Sequence, residues 1–125
     1  MSATANKWAS RFPLATAAVS GLRVLTDVPN EASIGASLHA WEKLPGIRAV
    51  PMVMLDATFV ANFYAADDYK RVQRLAAEIA RSKAIKPLII VVDADGPYVL
   101  EGGHRLVALG LLGVTAVPAL VVIER

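Results

Sequence analysis

The spacing of apolar and polar positions changes along the chain, and each change marks an expected element. Leu22, Val24 and Thr26 fall on alternate positions between Gly21 and Val28, which predicts a short strand. Pro29-Asn30 follows as a turn and helix cap. Ile34, Leu38 and Trp41 then recur at i, i+4 and i+7, the spacing of one helix face. Gly35 weakens that helix, and Pro45-Gly46 ends it. Ile47 to Leu55 reads as a strand, with Pro51 favouring an edge or the strand's start. Asp56 to Ala66 reads as a loop whose aromatics, Phe59, Phe63 and Tyr64, are expected to pack.

The second half is more regular. Asp67-Asp68 suits the positive end of a helix running to Lys83. Val72, Leu75, Ala76 and Ile79 form its buried stripe, with Lys70, Arg74, Glu78 and Arg81 opposite. Ile89 to Val92 and Tyr98 to Leu100 are strands joined by the hairpin turn Asp93-Ala94-Asp95-Gly96-Pro97. His104 to Leu112 is apolar nearly all round, which marks a buried helix. Gly113 stops it, and Val114 to Ile123 gives a last strand. The pattern predicts a small α/β (mixed α+β) domain, a mixed sheet flanked by helices.

Composition narrows the classes. A chain of 125 residues suits one domain, and 55% hydrophobic with 19% charged residues excludes a disordered chain. Without cysteine there is no disulfide, thiolate metal site or cysteine chemistry. A formal charge of +2 makes no general case for nucleic acid, although six basic residues against one acid fall between Lys70 and Lys86. Such a run is usually a solvated face; the alternative is a rim that steers phosphate. Lys7 and Arg11 precede a short apolar stretch, Leu14 to Val19, too broken for a secretory leader. Residues 1–21 are therefore expected to be a mobile or loosely docked extension to a domain at 22–125, and the protein to be cytoplasmic. No apolar run approaches bilayer-spanning length.

The candidate chemistry lies where strand gives way to helix, at Glu101-Gly102-Gly103-His104-Arg105. Two glycines permit a sharp turn and close backbone approach. The helix start offers unpaired N–H groups and a positive dipole end, both suited to an anion. Arg105 adds a planar charged fork, and His104 a further donor or a proton carrier. Glu101 is placed to hold Mg²⁺, accept a proton, or orient Arg105 through an ion pair. Gly102, Gly103, His104 and Arg105 are thus the candidate phosphate cradle, with His104 and Glu101 as candidate catalytic groups. Asp93 and Asp95 serve the turn, so no dedicated metal site is expected. His39 reads as a packing or surface residue.

Residues 85–123 resemble the ParB/sulfiredoxin superfamily, and the likeness extends over roughly 47–125. It rests on Lys86-Pro87-Leu88-Ile89-Ile90-Val91-Val92, the Asp93–Pro97 turn, the Glu101–Arg105 loop, the Leu106–Leu112 helix and Val117-Pro118-Ala119-Leu120-Val121. The helix Tyr69 to Lys83 also matches the one those domains place before the Pro-Leu strand. Sulfiredoxins carry a catalytic cysteine between the glycines and His-Arg; here Gly103 runs straight into His104, which excludes sulfinic-acid reduction. Partition ParB proteins bind CTP and read DNA with a later helix-turn-helix domain, and this chain, ending at Arg125, is not expected to act as such a clamp. Free-serine kinases use Asp-Gly-His-His-Arg, from which Glu-Gly-Gly-His-Arg departs at two positions. The resemblance implies a ligand such as ATP, ADP or CTP, with Mg²⁺, and a phosphotransferase, nuclease or other phosphodiester hydrolase. The alternative is a non-catalytic module for a protein or, weakly and without sequence preference, a nucleic acid.

Overall fold

A computed structural model describes residues 1–15, 17–32, 41–55 and 66–124, with the side chains of residues 66 and 67 left undescribed. The expected features at His39, Ile34, Leu38 and the loop aromatics lie outside these residues.

The sheet is built around two strands that read as continuous apolar runs. β6 (Leu88–Asp93) and β8 (Ala116–Glu124) pair in parallel, from Leu88 opposite Ala119 to Val92 opposite Ile123. Central strands covered on both faces need apolar residues at every position. Leu88, Ile90, Val92, Val117, Ala119, Val121 and Ile123 face the main core, while Ile89 and Leu120 meet Val28 and Ile47 on the other side. β7 (Gly96–Glu101) returns antiparallel to β6. Its two-residue connection is closed by the Asp93 Oδ1, which accepts the Asp95 N–H at 2.8 Å. That is the side-chain turn chemistry expected of the segment.

On the other side of β8 lie β3 (Trp41–Lys43) and β4 (Arg48–Pro51), both antiparallel to it. The five-stranded sheet runs β3-β8-β6-β7, with β4 also on β8. Trp41, expected to close a helix face, instead pairs with Glu124 in a strand. The strand expected over 47–55 ends at Pro51, and Met52–Met54 forms a 3-10 turn. β1 (Ala18–Val19), β2 (Leu22–Val24) and β5 (Ala84–Ile85) make a separate three-stranded sheet.

The N-terminal expectation fails. Ala3–Arg11 is a helix, α1, capped by the Ser2 side chain, and Ala5 and Phe12 are fully buried in the main core. Residues 13–15 then run beside β4, with the Ala49 N–H bonded to the Pro13 carbonyl and the Ala15 N–H to the Ile47 carbonyl. Arg48 fixes this arrangement from within: 8% exposed, it donates to the carbonyls of Pro45 at 2.9 Å and Phe12 at 3.3 Å. A buried guanidinium persists only where its donors are satisfied.

α2 (Ala66–Ser82) buries Val72, Ala76 and Ile79 as its spacing predicts, and packs on α3 (Gly103–Leu111). α3 buries Leu106 to Leu109. It ends at a left-handed Gly113: the Val114 N–H reaches the Leu109 carbonyl and the Gly113 N–H that of Gly110. Among the described residues no helix is long and apolar enough to cross a membrane.

Candidate functional site

β7 delivers the chain to α3 through Gly102, whose φ of 102° lies in the left-handed region. A side chain there would be strained by the backbone and would also collide. An added Cβ would lie 2.9 Å from the Leu88 Cγ and 2.8 Å from the Arg105 Nη2. Gly102 is thus required both by the turn and by the groups packed over it. Its carbonyl accepts the first helical bond, from the Leu106 N–H. The N–H groups of the preceding turn have no partner within the helix and concentrate its positive end there.

His104 and Arg105 leave this turn in different directions. His104 points to α2, where its Nε2 lies 3.0 Å from the Asp68 Oδ1, each side chain about one-third exposed at 34% and 36%. With Arg71, Arg74, Leu75 and Glu78 it lines a hollow of about 310 Å³. The structure therefore brings two arginines of the basic helix into one hollow with His104. Arg71 and Arg74 supply charge to that hollow, opposed by Glu78 and by Asp68 beside His104.

Arg105 does not line that hollow. Its Nη1 donates to the carbonyls of Lys86 at 2.8 Å and Pro87 at 2.7 Å, bracing the entry to β6 against the start of α3. Burial pulls its guanidinium below its ordinary pKa, while the charges of Glu101 and Asp27 act in the opposite direction. Glu101, half-buried at the end of β7, makes no ion pair with Arg105 among the described residues. It acts on Arg105 through charge alone, and it does not line the hollow that His104 lines. The clamp expected of Arg105 is thus, in this structure, first a backbone brace.

Two groups escaped the sequence reading. Asp68 was assigned only to the helix dipole, and its meeting with His104 joins residues 36 positions apart, which spacing does not reveal. The Lys86 and Pro87 carbonyls carry no side-chain signal at all. Among the described residues no group of three or more His, Cys, Asp or Glu side chains converges as a metal site.

No family model and no curated protein matches the sequence. Solved structures do. Sulfiredoxin from Arabidopsis thaliana is similar at 18% identity and a TM-score of 0.51, over 62% of this chain and 84% of that one. The C-terminally truncated chromosome-partitioning protein ParB from Caulobacter crescentus, complexed with CTP-gamma-S, is similar at 20% identity and a TM-score of 0.47. That match covers 61% of this chain and 43% of the ParB. The fold is that of a small sulfiredoxin-like α/β domain.

Proposed function

We propose that the chain binds the phosphate of a nucleotide, or of a related phosphoester, against the first turn of α3. The supporting observation is the hollow in which His104, Arg71 and Arg74 meet beside the Gly102 turn. Helix N–H donors and two guanidinium forks suit an anion that carries several oxygens. Arg105 serves this site indirectly, by holding Gly102 and the strand entry in register. Gly103 belongs to it through its backbone. The nucleotide (ATP, ADP or CTP) would carry any Mg²⁺ on its own phosphates.

A second reading adds catalysis. The His104–Asp68 contact at 3.0 Å is the arrangement by which a carboxylate orients an imidazole for proton transfer. In this reading His104, and not Glu101, is the acid/base group of a phosphotransferase or hydrolase.

The test is calorimetric titration with ADP, ATP and CTP, with and without Mg²⁺, on the wild type and on Arg71→Gln/Arg74→Gln. Saturable binding is expected, weakened about tenfold or more in the double variant. Unchanged affinity would refute the site. Under the catalytic reading, Asp68→Asn cuts nucleotide consumption more than affinity; wild-type turnover in that variant would refute it. Weak, salt-sensitive binding of single-stranded DNA, lost in the same double variant, would assign the arginines to nucleic-acid phosphates instead.

A further inference from the structure

The hollow that Arg105 does line is separate from the phosphate site and larger, about 490 Å³. It lies between the second half of α2 and the small sheet. Leu25, Leu75, Ile79 and Ile85 give it an apolar floor. Arg23, Lys86 and Arg105 stand around that floor, with Glu78 the one carboxylate among the described lining residues. Asp27, outside the lining, pairs with Lys86 at 3.3 Å. Within the lining three cations face one carboxylate, while Glu101 and Asp27 act on Arg105 from outside it.

Arg105 is only half used by the fold. Its Nη1 serves the two backbone carbonyls, while Nε and Nη2 have no acceptor among the described residues. These two nitrogens form one side of the guanidinium and are spaced to meet two oxygens at once. No buried side-chain nitrogen or oxygen among the described residues lacks a partner, so solvent reaches these donors.

We propose that this hollow is a second ligand site, for a small organic carboxylate with an apolar body. Its volume falls within the usual range for small-molecule pockets. A carboxylate matches the unused side of Arg105, and an aliphatic or aromatic body covers the floor. A free phosphate would gain nothing from four aliphatic side chains and would lose hydration against them. The two hollows adjoin at Leu75 and Glu78 on α2, while Leu25, Ile79 and Ile85 line only this one and His104 only the other. The proposal does not depend on the phosphate reading.

The probe is hexanoate, with the neutral hexanamide as its matched control. Methyl NMR of the full chain is followed at Leu25, Ile79 and Ile85. Hexanoate is expected to move these signals saturably, with hexanamide about tenfold weaker, and Arg23→Gln/Lys86→Gln is expected to weaken hexanoate severalfold. Inorganic phosphate should leave the three methyl groups unmoved. The double variant leaves the Arg105 brace intact, so loss of binding is not loss of fold. Equal affinity for acid and amide, shifts that never saturate, or hexanoate shifts centred on His104 would each overturn the proposal.

Discussion

Gly102→Ala, at the N-cap of α3, and Gly110→Ala, within it, make the same chemical change and should act in opposite directions. At Gly102 an alanine must adopt a φ of 102°, a left-handed conformation costing about 1–2 kcal/mol. Its Cβ would also sit 2.9 Å from the Leu88 Cγ, a fully buried side chain with little room to move. Overpacking of this kind costs about 1–3 kcal/mol. The Arg105 Nη2, at 2.8 Å, can shift only by disturbing the bonds that Nη1 makes to Lys86 and Pro87. Against this, removing a glycine from the unfolded chain restores about 0.4–1 kcal/mol. The net expectation is a loss of about 2–4 kcal/mol, taking these costs together. At Gly110 nothing lies within 4 Å of an added Cβ. There the same substitution should stabilise by about 0.5–1 kcal/mol through helix propensity. Urea titration reads both, with a shifted midpoint at constant slope. If Gly102→Ala unfolds at the wild-type midpoint, neither the turn nor the packing over it constrains that position.

Phe12→Ala should cost about 3–5 kcal/mol, because the ring is fully buried in the main core; a loss under about 1 kcal/mol in the same titration would mean that α1 is only loosely attached. His104→Ala should weaken phosphate or nucleotide binding by about 1.5–3 kcal/mol, the scale of a hydrogen bond to a charged group. Its thermal unfolding should change little, since the His104–Asp68 contact is one-third exposed. Unaltered affinity in calorimetry would remove His104 from the site.

The elements most legible in the sequence were those whose own residues bury them. Val72, Ala76 and Ile79 mark α2 at helical spacing, and the unbroken apolar run Leu88 to Val92 marks a central strand. Trp41 shows the limit of periodicity. It sits at i+7 from Ile34, yet pairing with Glu124 places it in a strand. A three-residue edge strand is decided by its partner, not by its own sequence. The N-terminal helix carries its own signal. Ala5, Trp8, Ala9 and Phe12 fall at i, i+3, i+4 and i+7 behind a Ser2 cap, and all pack on the main core.

At the candidate site, the Glu101–Arg105 motif located the turn but not the division of labour within it. Successive residues on a helix point about 100° apart, so neighbours in sequence need not share a surface. His104 is turned to the arginines of α2, while Arg105 is turned to the entry of β6 and the small sheet. What decides this is the path of Lys86-Pro87, whose carbonyls capture Nη1 and so commit one side of the fork to the backbone. The permanent charge that made Arg105 look like a phosphate clamp also makes it a good brace, because a guanidinium keeps its donors under partial burial. Under the proposed function the phosphate contacts fall to Arg71 and Arg74, which line one hollow with His104 from another helix. Arg105 braces the entry to β6 through Nη1, and under the second proposal its other side meets a carboxylate in the neighbouring hollow.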